Sequence, residues 1–119
     1  DLRFIHGIPL TDLPVVYKAA TVFCYPSIFE GFGIPILESM CVGTPVLTST
    51  GSCFAETGGD AARYANPFVP EEIGAQLSRI LEDRMERKKM ISKGFEQAEH
   101  FADEQVAANI IRVVLSKYI

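Results

Sequence analysis

Two glutamates eight residues apart, Glu30 and Glu38, bracket the stretch Gly31-Phe32-Gly33-Ile34-Pro35. A carboxylate accepts two hydroxyl hydrogen bonds at once, which suits it to the vicinal diol of a ribose or a sugar. Glycines let a backbone pass close to a ligand, and the free amides at a helix amino terminus favour anions such as phosphate. A helical side chain leans back toward its own amino terminus, so Glu38, about one turn inside a helix opening at Ile34, reaches over the same space. Amides for a phosphate and carboxylates for diols together describe a nucleotide-sugar site. Each residue also has a structural reading: a glutamate in the first turns of a helix complements the helix dipole, and glycine is a routine turn residue at a strand–helix junction. The spacing is not a dinucleotide fingerprint, because the third glycine position holds Ile36, and no Gly-Lys-Ser/Thr follows to make a P-loop.

These residues need a strand before them and a helix after them. Thr21-Val22-Phe23-Cys24-Tyr25 is a continuous apolar, β-branched run stopped by Pro26, which predicts a strand covered on both faces of a parallel sheet. Ile34–Val42 reads as a helix with Pro35 in its first turn, an apolar face of Leu37, Met40 and Cys41, and Gly43 as its stop. Upstream, Arg3–His6 reads as a strand ended by Gly7-Ile8-Pro9. A helix follows, capped by Thr11 or Asp12, with Pro14 in its first turn, running to about Ala20. Downstream, Pro45–Ser49 is a further buried strand, a short helical segment ends at Gly58-Gly59, and Ala61–Ala65 forms another short strand. Ile73, Leu77, Ile80 and Leu81 stripe one helix, residues 84–100 make a charged second one, and Asp103 caps a third bearing Val106, Ile110, Val113 and Val114. Alternating strand and helix predict a Rossmann-like parallel α/β sheet with right-handed crossovers. Ligands in such sheets sit beyond the carboxyl ends of the strands, where the Glu30 loop lies.

Composition narrows the class. The 119 residues are 48% hydrophobic and 22% charged, enough chain for one domain with a real core and far from a disordered or disulfide-scaffold composition. The first 60 residues carry six acids and two cations, Arg3 and Lys18, whereas the rest hold nine of each sign, so no basic stripe exists for nucleic acid or an anionic membrane surface. No apolar run approaches the roughly 20 residues of a membrane helix, and no signal-peptide pattern is visible. Cys24, Cys41 and Cys53 are odd in number and lack metal-ligand spacing, and His6 and His100 form no pair. Reduced thiols packed as small apolar groups in a cytoplasmic protein follow, with no metal site. The strand-like opening without a methionine is that of a piece of a longer protein, and the whole of 1–119 reads as a single, partial domain.

The segment Pro26-Ser27-Ile28-Phe29-Glu30-Gly31-Phe32-Gly33-Ile34-Pro35-Ile36-Leu37-Glu38-Ser39-Met40 resembles the signature of group 1 (family 4) retaining glycosyltransferases, Pro-Ser-x2-Glu-Gly-Phe-Gly-x-Pro-x2-Glu-Ala-Met. Gly43-Thr44-Pro45-Val46, Glu56, Gly59-Asp60-Ala61-Ala62 and the upstream Leu13-Pro14, Tyr17 and Ala19-Ala20 extend the match over nearly the whole chain. The resemblance implies the carboxy-terminal, donor-binding half of a GT-B fold, truncated at its start, in an enzyme that moves a sugar from a nucleotide-diphosphate donor to a glycan or lipid-linked acceptor with retention. It places Glu30 at the reacting carbon of the donor sugar as the catalytic residue. The amides of Gly31, Phe32, Gly33 and Ile34 fall to sugar hydroxyls and diphosphate, Glu38 to the ribose, and Ile8 and Pro9 to the base. No metal is implied, and the chain has no Asp-x-Asp.

The resemblance also implies what this stretch would lack alone. A diphosphate leaving group needs cations as well as amides, and the family supplies an arginine and a lysine from upstream segments. The acceptor-binding domain lies upstream too, so the fragment is expected to be inactive, the parent is a candidate for peripheral membrane association, and an exposed sheet edge offers a place for copies to pair. His6 stands where the family often has glycine, Ser39 where it has alanine, and Phe101-Ala102-Asp103 where an aromatic Phe-Ser-Trp is common. The alternatives are a non-catalytic nucleotide-binding or interaction module and a GT-B-like epimerase.

Overall fold

The computed structural model describes residues 1–102. The elements run α1 (Leu13–Ala19), β1 (Phe23–Tyr25), α2 (Ile34–Cys41), β2 (Val46–Ser49), α3 (Phe54–Gly58), a 3-10 turn (Gly59–Ala61), β3 (Arg63–Ala65), α4 (Pro70–Glu82) and α5 (Arg84–His100). The three strands form one parallel sheet in the order β1-β2-β3, with Tyr25 beside Thr48 and Thr48 beside Tyr64. This is the expected parallel α/β architecture flanked by helices. The helix expected after Asp103 lies outside the described residues.

Strand β2 is central and buried along its whole length. Its side chains alternate between two apolar layers. Val46 joins Ile36, Met40, Phe54, Ala61 and Ala62 on one face, and Leu47 joins Ala65, Ile80 and Met90 on the other. Fully burying one of these larger side chains contributes about 1.5–3 kcal/mol. Helix α5 spans both layers, with Met90 in the Leu47 layer and Ala98 against the Ile36 layer. Gly94 of α5 is buried against Met40 of α2, where a Cβ would meet Met40 Cγ at an ordinary contact distance of 3.4 Å. The two layers fix the end of the sheet from which the Glu30 loop emerges.

Four expectations change. Arg3–His6 forms no strand; residues 1–7 are exposed, with Leu2 83% and Phe4 81% accessible, because no described strand lies beside them to take their backbone hydrogen bonds. The run 21–25 narrows to Phe23–Tyr25 and is half-buried, since β1 forms the edge of this sheet and lacks the two-sided cover a central strand receives. In α2 the buried face is Ile36, Ser39 and Met40, with Leu37 half-buried and Cys41 exposed. Ile36 and Met40 are one turn apart and set the face, and Cys41 lies a further 100° round the helix. The strand expected over Ala61–Ala65 starts only at Arg63, because Gly59–Ala61 close into a 3-10 turn.

Candidate functional site

The turn into α2 is built by one glycine. Gly33 takes the N-cap position with φ +82°, a left-handed conformation that costs an ordinary L residue energy, and Pro35 follows in the first turn without an N–H to satisfy. A Cβ on Gly33 would also sit 3.2 Å from Ile36 Cδ1. The amides of Gly31, Phe32, Gly33 and Ile34 find no acceptor among the described residues. Four consecutive donors, the last of them Ile34 at the start of the eight-residue α2, thus lie without acceptors among the described residues, an arrangement that favours an anion.

The loop is propped from behind. Thr57 of α3 donates its hydroxyl to the Phe32 carbonyl and to Cys53 O at 3.1 Å. Gln97 of α5 donates to the carbonyls of Glu56 and Thr57, both at 3.1 Å. Phe101, just beyond α5, meets the Phe32 ring edge-on at 5.1 Å. The Phe101 position thus packs directly against the glycine loop.

Glu30 is held at both its side chain and its backbone. Its Oε1 accepts from Tyr25 Oη at 2.6 Å and from Ser27 Oγ at 2.9 Å. These donors, Tyr25 first, hold its carboxyl below the usual carboxylate range, so it stays ionised. Its backbone N–H donates to Ser52 Oγ at 3.4 Å, and its carbonyl accepts from Ser52 Oγ at 3.2 Å and from Cys53 Sγ at 3.4 Å. Ser52 does this with φ +48°, the one described non-glycine residue in the left-handed region. Strain of this kind concentrates at functional sites.

Glu38 is exposed on α2 and accepts from Tyr17 Oη at 3.0 Å through Oε2. Burial first, and then the hydrogen bond to a carboxylate, push the phenols of Tyr17 and Tyr25 up to about 12. In each glutamate the second carboxylate oxygen carries no bond among the described residues. No cation pairs with either glutamate among those residues.

Glu38 and Tyr17 also line an apolar cavity of about 370 Å³ with Leu10, Leu13, Pro14, Cys41 and Val42. Ile8, half-buried, and Pro9, whose carbonyl accepts from Asp12 at 2.9 Å, precede Leu10 and do not line it. A second cavity, of about 360 Å³, is lined by Asp60, Arg63, Lys89 and Lys93. It opens where β3 begins, at the amino ends of the strands, whereas Glu30 follows the carboxyl end of β1. It belongs to the other end of the sheet. Among the described residues no group of histidines, cysteines and acids is arranged to hold a metal ion.

Sequence reasoning found both glutamates and the free amides but missed Tyr17, Tyr25, Ser27 and Ser52. A tyrosine inside an apolar helical stripe or strand reads as core, and only its terminal hydroxyl betrays a second task. Ser27 stands in the matched segment but has no spacing of its own that marks it as a carboxylate ligand.

Comparison with known proteins gives the family. The family described as "Glycosyl transferases group 1" matches residues 1–97. The chain is 38% identical over 110 residues to the O-antigen chain mannosyltransferase B of Escherichia coli, covering 92% of this chain and 29% of that protein. Sucrose-phosphate synthase from Thermosynechococcus elongatus superposes with a TM-score of 0.83 at 26% identity, over 98% of this chain and 30% of that one. Anabaena HepE, solved in complex with UDP-glucose, shares the fold with a TM-score of 0.75 at 22% identity, over 89% of this chain and 30% of that one. The chain therefore spans less than a third of each of these three proteins.

Proposed function

The chain belongs to the group 1 glycosyl transferases, and we propose that it is the donor-binding domain of a GT-B enzyme that transfers a hexose, with retention, from a nucleotide-diphosphate sugar to a glycan or lipid-linked acceptor. The observation that carries this reading is the arrangement of the loop. Four unpaired amides lie between two carboxylates, each with one oxygen anchored by a tyrosine and the other unengaged among the described residues. Unpaired amides suit a diphosphate, and a half-anchored carboxylate suits a diol. The mannosyl transfer named for the E. coli relative supports a hexose as the group moved.

In this reading Glu38 takes the ribose hydroxyls and Glu30 lies at the donor sugar, where a fixed negative charge stabilises positive charge developing at the anomeric carbon. The amides of Gly31, Phe32, Gly33 and Ile34 hold the diphosphate, and Ile8 and Pro9 border the base. The reaction requires no metal, and the enzyme acts in the cytoplasm. The cations that stabilise the leaving group and the acceptor-binding domain come from the rest of the enzyme, so the 119 residues alone transfer no sugar.

The test is Glu30→Ala and Glu38→Ala in the intact enzyme, assayed with a panel of nucleotide-diphosphate sugars. Loss of Glu30 lowers kcat by about a hundredfold, the size of effect expected when a preorganised electrostatic group is removed. Loss of Glu38 raises the donor KM by about tenfold, the worth of one strong hydrogen bond to a charged group. Unchanged turnover in both variants sinks the assignment.

A further inference from the structure

We propose that Tyr25 and Tyr17 are positioning residues, one for each glutamate, joined through Phe23 into a single aromatic row that sets which carboxylate oxygen faces the donor. The proposal rests on the reading of Glu30 and Glu38 as donor ligands.

The row crosses two elements. Tyr17 comes from α1 and meets Phe23 of β1 edge-on, with ring centroids 5.0 Å apart. Phe23 stacks on Tyr25, the last residue of β1, at 5.6 Å. Each end of the row carries a hydroxyl that donates to a glutamate, to Oε1 of Glu30 at 2.6 Å and to Oε2 of Glu38 at 3.0 Å. A tyrosine ring has two rotatable bonds, and packing on Phe23 restricts both. A glutamate in a loop has three, so a fixed phenol is what turns a mobile carboxylate into a fixed one.

Geometry separates the two roles. Oε1 of Glu30 takes two hydroxyl donors, from Tyr25 and Ser27, and the 2.6 Å contact lies in the range of strong charge-assisted O–H···O⁻ bonds. That fixes the carboxylate as an anion with Oε2 left for the donor sugar. Glu38 has a single, longer tether, so Tyr17 steers it without saturating either oxygen. Tyr25 faces Glu30, Tyr17 and Cys53; Glu30 faces Tyr25 and Ser27 at its side chain and Ser52 and Cys53 at its backbone. Hydroxyls therefore do the orienting work that a cation does at other carboxylate sites, and they leave the carboxylate its full formal charge.

The experiment compares Tyr25→Phe and Tyr17→Phe with Glu30→Gln and Glu38→Gln in the intact enzyme. It measures kcat, donor KM and a ¹³C carboxyl NMR titration of labelled glutamate, with Glu30→Gln assigning the Glu30 signal. Tyr25→Phe keeps the ring on Phe23 and removes one oxygen. It lowers kcat about tenfold at near-constant donor KM and moves the Glu30 titration up toward the ordinary carboxylate range. Tyr17→Phe raises donor KM about fivefold at near-constant kcat. A merely structural tyrosine would lower kcat and raise donor KM together or not at all, and would not give this split.

If Glu30→Gln abolishes turnover while Tyr25→Phe leaves both kcat and the titration unchanged, the positioning role is wrong and the donor reading stands. If Tyr25→Phe moves the titration but Glu30→Gln retains full turnover, the contact is real and the donor reading fails, and the proposal fails with it.

Discussion

Replacing Ser39 with alanine should make the protein more stable and leave donor binding alone. Ser39 is fully buried in α2, next to Glu38, and its Oγ finds no hydrogen-bond partner among the described residues. The hydroxyl makes no bond to the carbonyl one turn back, the usual refuge of a serine inside a helix. An unpartnered buried hydroxyl costs about 1–3 kcal/mol. Alanine also outranks serine in helix propensity by about 0.5 kcal/mol, and the loss of one oxygen's van der Waals contacts offsets part of the gain. The net expectation is about 1–2 kcal/mol of added stability, which moves a urea midpoint up by about 0.5–1 M. Urea unfolding of the intact protein, followed by circular dichroism, reads that shift, and a donor titration reads the site. Ser39→Thr supplies the opposite sign, because an added methyl at a fully buried position overpacks it. An alanine variant no more stable than wild type, or a threonine variant more stable than the alanine one, refutes the reasoning.

Two further outcomes follow from contacts around the site and across the sheet. Ser52→Gly should unfold at higher urea than Ser52→Ala, because glycine relieves a left-handed conformation worth about 1–2 kcal/mol while alanine keeps that strain and loses the same hydroxyl. Both variants should lose turnover, since Ser52 Oγ ties down the Glu30 backbone; equal urea midpoints would show that the conformation stores no strain. Glu86 is bonded by Arg63 and, at 3.4 Å, by Arg79, and the Arg63 hydrogen bond first of all holds its carboxyl below the ordinary value of 4.5. A carboxyl lowered in the folded state adds stability that is fully present above its unfolded value and is lost as pH falls through its folded value. Urea midpoints of wild type and Glu86→Gln should therefore converge as pH drops below about 4, and parallel curves from pH 7 to pH 3 would contradict it.

What could be read from the residues alone follows the physics of each element. Helix α5 occupies the charged run 84–100 that the sequence predicts, because charge pattern and length need no partner to be visible. The Glu30 loop stands out in the sequence through its resemblance to a family signature, because each of its glycines and carboxylates taken alone has a structural reading as well. Tyr17 and Tyr25 were hidden because their rings satisfy the apolar pattern completely and their hydroxyls leave no trace in spacing. The strand expected at Arg3–His6 shows the opposite error. Its composition suits a strand, but a strand exists only beside another, and the described sheet ends at β1.

The charge layout of the loop bears on the proposed donor. Glu30 and Glu38 are tied by hydroxyls alone, so no positive charge is brought into the loop among the described residues. That favours sugar and ribose hydroxyls, which a carboxylate binds as acceptor, and it opposes a diphosphate, which the carboxylates repel. The four free amides offset that repulsion only in part, since each carries a partial charge. The described cations Arg63, Lys89 and Lys93 gather at the amino ends of the strands, away from the loop. Under the proposed function, the loop's carboxylates and amides take the donor's hydroxyls and part of its diphosphate, and the remaining leaving-group charge falls to cations outside the described residues.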